Sequence, residues 1–325
     1  MSVSKYDIEL TAGEDQTSHG LMQALVGANK RVLDVGCSTG YLAKALGERG
    51  NVVSGIEYDP AAAEKARPFL AQLVVGDLED VGIYDEFADG AFDVVVFGDV
   101  LEHLRDPLPV LRRARRLLAP GGSVVISVPN VAHGDVRLSL LAGRFDYRDT
   151  GLLDETHVRF FTRRNLDRFL REAGFTAVDV RSTTAPLFGT ELQPRREDYA
   201  ADVVAALEAD PDALIYQFVL QAAPDDAVQA ESEVAWRLMD TQRELAAARQ
   251  AAAATEQELA QVRSELDRST QELQRTTDAL RAAESAREQA ETARRTAEEE
   301  LERLYETKTM RAVRLPRRVY GRLRR

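Results

Sequence analysis

The stretch that decides the reading is VLDVGCSTGYLA, residues 32–43. It opens on apolar, strand-like residues around one acid, Asp34. It turns through Gly36, Cys37, Ser38, Thr39 and Gly40, and continues from Tyr41 in a helix-like pattern. A strand that runs through a tight turn into a helix sets the free N–H groups of the helix beside the strand's carboxyl end, where they favour a polar or anionic partner. In open parallel sheets ligands sit at that end. Gly36 and Gly40 let the backbone turn sharply and approach a ligand with no Cβ in the way. The stretch therefore reads as one wall of a ligand pocket.

On either side of this stretch, short apolar runs alternate with helical patterns. Residues 31–35, 52–57, 73–76, 92–97 and 123–128 read as buried strands, and 41–48, 61–70 and 107–118 as helices between them. That alternation predicts an α/β fold, a parallel sheet with helices on both faces. Pro120, Gly121 and Gly122 mark a turn feeding the fifth strand. Further on come a helix at 163–173 closed by Gly174, a strand near 177–182, and the alternating strand LIYQFVLQA at 214–222.

Composition divides the 325 residues. Ten of eleven prolines precede Asp225, whereas from there to Glu306 there is neither Gly nor Pro, and Ala, Glu, Gln and Arg dominate. The expected plan is an N-terminal cover (1–29), a globular domain (30–222) large enough to bury a core, a long helix or coiled coil (223–306) and a basic tail (307–325). Residues 308–325 hold one Lys, seven Arg and no acid, so removing their +8 from the net −12 leaves −20 on the rest. An acidic body argues against nucleic acid as partner. The single cysteine, Cys37, excludes an intrachain disulfide. With no leader-like start and no long apolar run, a cytoplasmic protein is expected, peripheral at the inner face of a membrane if its tail touches one.

Two more acids complete the pocket. Glu57 ends VVSGIE, about twenty residues after the glycine turn, where an acid can accept hydrogen bonds from two ribose hydroxyls. Asp77, in VVGDLED after the third strand, can take the amino group of an adenine. Three carboxylates repel a phosphate-bearing dinucleotide and suit a nucleoside carrying positive charge.

The set VLDVGCSTG, GIEYD, GDLED, FDVVVFGDVLEHLRDP, LLAPGGSVVISVPN and THVRFFTRRNLDRFLREAGF resembles the Rossmann-like (class I) S-adenosylmethionine-dependent methyltransferases. It is most similar to the ubiquinone-biosynthesis O-methyltransferase and methionine-biosynthesis W-type groups. The likeness covers about residues 30–175 in order. It implies a Rossmann-like seven-stranded, mostly parallel sheet whose last strand, here 214–222, is antiparallel. It implies S-adenosylmethionine as cofactor, with S-adenosylhomocysteine as product. By motif position, Asp34, Gly36 and Gly40 would hold the methionine part, Glu57 the ribose and Asp77 the adenine. Tyr58 would stack along the adenine, and Asp99 would lie beside the cofactor near the substrate. Cys37 and Leu78 complete the cofactor-binding set, although Cys37 read alone is a packed small residue. Ser38 departs from the glycine that many members carry.

Methyl transfer from a sulfonium needs in-line positioning and, for a hydroxyl acceptor, removal of a proton. His157 in DETHVRFFT and His103 in DVLEHL are the candidate catalytic bases. His133 is expected to face the mouth, and His19 to lie on the N-terminal cover. Asp99, Glu102 and His103 form a D-x-x-E-H group that could hold magnesium or zinc. Glu102 and His103 are instead expected to lie along a helix start, with no metal in the site. Residues 131–155 are expected to form a lid over the acceptor, with Arg137, Arg144, Tyr147 and Arg148 lining it and suiting an acidic or phosphorylated group.

Between 229 and 304 a heptad sets Leu238, Leu245, Leu259, Leu266, Leu273, Leu280 and Leu301 in one register, with small residues three positions later. Oligomerisation or docking to a protein partner is expected of it, and contact with an anionic membrane surface of the basic tail. A methyltransferase joined to a coiled coil is similar in layout to chain-capping enzymes of bacterial surface polysaccharides. The expected activity is O-methylation of a sugar, glycan or small metabolite, with the coiled coil as tether. The competing readings are a catalytically silent scaffold and a cofactor sensor that signals through the helix.

Overall fold

The computed structural model describes residues 16–227 and 232–306. The basic tail, and residues 1–15 of the expected N-terminal cover, lie outside them. The elements in order are α1 (Ser18–Val26), β1 (Arg31–Val35), α2 (Tyr41–Glu48), β2 (Val52–Glu57), α3 (Pro60–Ala66), β3 (Leu73–Val75), β4 (Phe92–Gly98), α4 (Pro107–Leu117), β5 (Leu118–Pro129), α5 (Gly134–Leu141), α6 (Arg163–Glu172), β6 (Phe175–Thr184), α7 (Ala201–Glu208), β7 (Ile215–Pro224) and α8 (Ser232–Glu306). The seven strands form one sheet in the order β3-β2-β1-β4-β5-β7-β6. All neighbours run parallel except β7, which is antiparallel to both β5 and β6. This is the Rossmann-like arrangement, with the last strand reversed as expected.

Period-two alternation divides the core between the faces of the sheet. Val32, Val94, Val96 and Val125 face α1 and α2, meeting Met22, Leu42 and Leu46. Leu33, Val95, Phe97 and Ile126 face the other way, onto Leu111 and Leu117 of α4 and Leu166 and Leu170 of α6. The described part of the N-terminal cover is thus α1, capped by Thr17, whose side chain accepts from Gly20 N–H. Helix α6 starts on a capping box in which Thr162 and Asn165 satisfy each other's backbone. It closes at Gly174, φ +80°.

The turn expected at Pro120-Gly121-Gly122 lies inside β5, as an irregularity. Leu118 pairs with Phe92 and Ser123 with Val94, so the extra residues bulge out of the ladder.

The described residues divide into two compact units, with the division between Leu245 and Ala246. The boundary expected between 222 and 223 falls inside the first of them. The reason is side-chain packing: Ala235, Trp236 and Met239, early in α8, are buried in the same core as α4 and α6. The Trp236 ring meets Phe218 edge-on, its centroid 5.6 Å away, and its indole N–H donates to Asp167 at 3.3 Å. Beyond Leu245, α8 is an exposed helix with the heptad leucines on its surface. No described helix is long and apolar enough to cross a membrane.

Candidate active site

The glycine turn is built on strained backbone. Gly36 (φ +78°) and Gly40 (φ +81°) occupy the left-handed region, and so does Ser38 (φ +48°). A Cβ on Gly36 would come within 2.7 Å of Val100, and one on Gly40 within 2.8 Å of the Ala66 backbone. The N–H groups of Gly36 and Cys37 both donate to the Ile56 carbonyl, at 2.8 and 3.0 Å. Ser38 N–H and Asp59 N–H donate to the two oxygens of Glu57, each at 2.8 Å. The positive φ at Ser38 explains why glycine suits this position.

This turn forms one end of a cavity of about 820 Å³ at the carboxyl ends of β1, β2 and β4. Gly36, Glu57, Tyr58, Asp99, His103 and His157 of the expected site line it. Asp34, Cys37, Gly40, Asp77 and Leu78 do not. Asp34 lies beneath the turn, its Oδ2 buried with no hydrogen-bond partner among the described residues. Burial, then the Glu57 charge, pushes its carboxyl up to about 7. The Cys37 side chain lies against Gly55 of β2. Burial, reinforced by Asp34 and Glu57, drives its thiol far above the usual range, which fits a packed residue and no nucleophile. Gly40 sets the start of α2. Asp77 is exposed and accepts from Glu79 N–H at 2.9 Å, as a turn cap does. Leu78 is buried under Gly36.

Asp99 (φ +57°) follows β4 and lines the cavity. Its Oδ1 accepts from Ser127 Oγ at 3.1 Å and from the Gln217 amide. Burial raises its carboxyl to about 6, held back by those two donors.

The far end gathers residues distant in sequence. The rings of His103 and His157 meet edge-on at 4.8 Å. Thr156 holds His103, its carbonyl 3.2 Å and its hydroxyl 3.1 Å from Nδ1. Asp154 in turn accepts from the Thr156 N–H and hydroxyl, at 2.8 and 2.6 Å. The chain over Val158 and Arg159 is pinned by two N–H bonds to the Glu102 carbonyl, both 2.9 Å. The Glu102 side chain is buried, and neither carboxylate oxygen has a hydrogen-bond partner among the described residues. Burial, then Asp99 and Asp154, pushes its carboxyl well above the usual range.

Asp154, Thr156, Tyr216 and Gln217 also line the cavity, although no motif in the sequence marks them as site residues. The first two sit in the quoted DETHVRFFT context, beside His157. Tyr216 and Gln217 come from the reversed strand, which brings them across the sheet only once folded. Tyr216 donates to Glu191 at 3.1 Å, and Glu191 also accepts from Leu152 N–H at 2.6 Å, fixing the 150–152 loop at the cavity edge.

The expected arginine-lined lid is not found: residues 131–155 contribute Thr150, Gly151 and Asp154, and none of Arg137, Arg144, Tyr147 or Arg148 lines the cavity. Arg137 is drawn instead to Asp210 at 2.5 Å, and Arg144 to the Tyr199 hydroxyl at 3.2 Å. His133 does not face the mouth. It is buried, and its Nδ1 caps α5 by accepting from Asp135 N–H at 3.1 Å. His19, by contrast, lies on the cover as expected and lines the cavity, within 3.2 Å of the Tyr41 hydroxyl.

A Rossmann-like sheet with a strained glycine turn, an acid ending β2 and a cavity spanning β1 to β4 defines the class of S-adenosylmethionine-dependent methyltransferases. A family model for a methyltransferase domain matches residues 15–180, half of the chain, and the chain belongs to that family. It is similar to a ubiquinone biosynthesis O-methyltransferase of Thiobacillus denitrificans, 32% identical over 188 residues, covering 57% of this chain and 75% of the relative. It is also similar to one of Psychrobacter arcticus, 32% identical over 163 residues, covering 47% of this chain and 62% of that relative's length. Among solved structures, a methyltransferase of Archaeoglobus fulgidus aligns with a TM-score of 0.46 at 18% identity, over 63% of this chain and 93% of its own. S-adenosylmethionine is the cofactor that the family implies.

Proposed function

We propose that the cavity takes S-adenosylmethionine at its Gly36–Glu57 end and a neutral, hydroxyl-bearing acceptor at its Glu102–His103–His157 end. The observation that carries this reading is the pair of imidazoles, His103 and His157, set beside the partnerless Glu102 carboxyl on one wall. The Glu57 oxygens accept from the ribose hydroxyls while the two backbone N–H groups fix their direction. Tyr58, exposed at the rim, covers the adenine. Asp77, although outside the cavity lining, keeps its exposed carboxylate for the adenine amino group. Asp34, beneath the turn, favours a cationic methionine part through its charge.

In the transfer, a bond forms between the acceptor oxygen and the methyl carbon as the carbon–sulfur bond breaks. The bonding pair stays on sulfur, giving neutral S-adenosylhomocysteine, and the hydroxyl proton passes to the imidazole of His157 or His103. The acceptor is a sugar, glycan or small metabolite. No Lys or Arg lines the cavity among the described residues, and Asp99, Glu102 and Asp154 do, which disfavours a phosphorylated acceptor. The curated relatives are named O-methyltransferases, which supports oxygen as the receiving atom.

The test is transfer of labelled methyl from S-adenosylmethionine to a panel of neutral glycosides and phenols beside phosphorylated counterparts. The expected result is label on a neutral hydroxyl compound, at least ~10-fold faster than on its phosphorylated form, with most of the rate lost in His157→Gln or His103→Gln. Cofactor binding without transfer to any acceptor would favour the sensor reading.

A divalent cation is a second reading of the same wall. One ligand atom each from Glu102, His103 and His157 lie within 4.8 Å of one another. Asp99, part of the D-x-x-E-H group, is not in this set. One oxygen and two imidazole nitrogens suit zinc better than magnesium. A bound cation would lower the pKa of the acceptor hydroxyl. Transfer that survives chelation unchanged, with no metal in the purified chain, would leave the imidazole base alone.

A further inference from the structure

We infer that the exposed part of α8 pairs with the same segment of a second copy of this chain, as a parallel, in-register coiled coil most tightly joined between Leu245 and Ala283. Helix α8 runs unbroken from Ser232 to Glu306, far longer than an isolated helix needs to be to serve the domain it leaves. Leu245, Leu259, Leu266, Leu273 and Leu280 recur at heptad spacing and are 50–68% exposed. A stripe of that kind on an otherwise polar helix is stable in water when another helix covers it.

Charge decides the occupant and its direction. Taking the leucines as the first seam position, the residues that precede them include Glu244, Glu258, Glu265 and Glu272, with no basic residue after Arg237. The residues four after them include Arg249 and Arg263. In a parallel, in-register pair each flanking residue faces the one five positions later on the partner helix. Glu244 then meets the second copy's residue 249, an Arg, and Glu258 its residue 263, also an Arg. No facing pair in that register brings like charges together. An antiparallel pair would set the glutamate flank against itself. The second seam holds small residues throughout, Ala248, Thr255, Val262, Ser269, Thr276 and Ala283, which lets the helices approach closely. Past Ala283 the seam weakens at Arg287 and Arg294, which pair within their own helix to Glu291 at 3.0 Å and Glu298 at 2.9 Å.

The experiment is the mass of the full chain in solution by light scattering, beside Leu266→Glu/Leu273→Glu and Val262→Cys. The expected results are a two-chain mass for the wild type, a one-chain mass for the double variant with its thermal unfolding unchanged, and disulfide cross-linking of Val262→Cys under oxidation. The native thiol, Cys37, is buried, so the wild type is the uncross-linked control. A wild-type mass of one chain or of three, a double variant that keeps two chains, or Val262→Cys that stays uncross-linked would each overturn the inference. None of these outcomes depends on methyl transfer.

Discussion

Ser38 N–H donates to Glu57 Oε2 at 2.8 Å, closing the turn after β1 onto the acid that ends β2. The turn and the carboxylate that ends β2 are therefore one mechanical unit, and its shape depends on backbone that only small residues tolerate. Gly40→Ala places a Cβ within 2.8 Å of the Ala66 backbone at φ +81°. It should destabilise the chain by about 2 kcal/mol or more, read by denaturant unfolding, and weaken cofactor binding with it.

Asp34 gives the domain a pH dependence of definite sign. Its folded carboxyl stands at about 7 against an ordinary 3.8. The raised value means that the folded state holds the proton more tightly. This contribution is fully present below about pH 4 and is lost as pH rises through about 7. Relative to Asp34→Asn, the wild type should lose about 2–4 kcal/mol between pH 4 and 8, measured by unfolding of both chains across that range. A cationic cofactor offsets the buried charge, so its thermal shift should be larger at pH 8 than at pH 5.

The histidine pair should divide binding from chemistry. His157→Gln is expected to lower kcat by about 10²–10⁴-fold while leaving cofactor affinity unchanged. A matching loss of cofactor affinity would make His157 a wall residue only. Thr156→Val, which removes the hydroxyl that meets His103 Nδ1 at 3.1 Å, should shift the pH profile of the rate.

Trp236 ties the root of α8 to the methyltransferase core. Arg163 lies 5.0 Å over its ring and pairs with Asp240 at 2.9 Å. Trp236→Ala should cost about 3–5 kcal/mol. A chain ending at residue 245 should unfold at a clearly higher temperature than one ending at 224, by differential calorimetry.

Much of this was legible where local pattern and tertiary role coincide. β1, β2 and α2 have the bounds that apolar runs and glycine punctuation predict, because each is a buried run stopped by a turn residue. Glu57, Asp99, His103 and His157 follow strands or precede a helix in recognisable motifs, and all line the cavity. What was not legible depends on distant partners. Arg137 looks like an acceptor ligand until Asp210, 73 residues on, takes it. His133 looks like a mouth residue until its own helix N-terminus consumes it. Trp236 sits in a helical run whose composition says stalk, and contacts with Phe218, Asp167 and Arg163 assign it to the core.

The proposed role of the Gly36–Glu57 end is to hold S-adenosylmethionine. Calorimetric titration of the full chain with S-adenosylmethionine and S-adenosylhomocysteine, beside Glu57→Ala, tests it most directly. The expected dissociation constants are near or below ~10 µM for the wild type, with at least ~10-fold weaker binding in the variant, about 1.4 kcal/mol. No binding by the folded wild-type chain, or equal binding by Glu57→Ala, would contradict it.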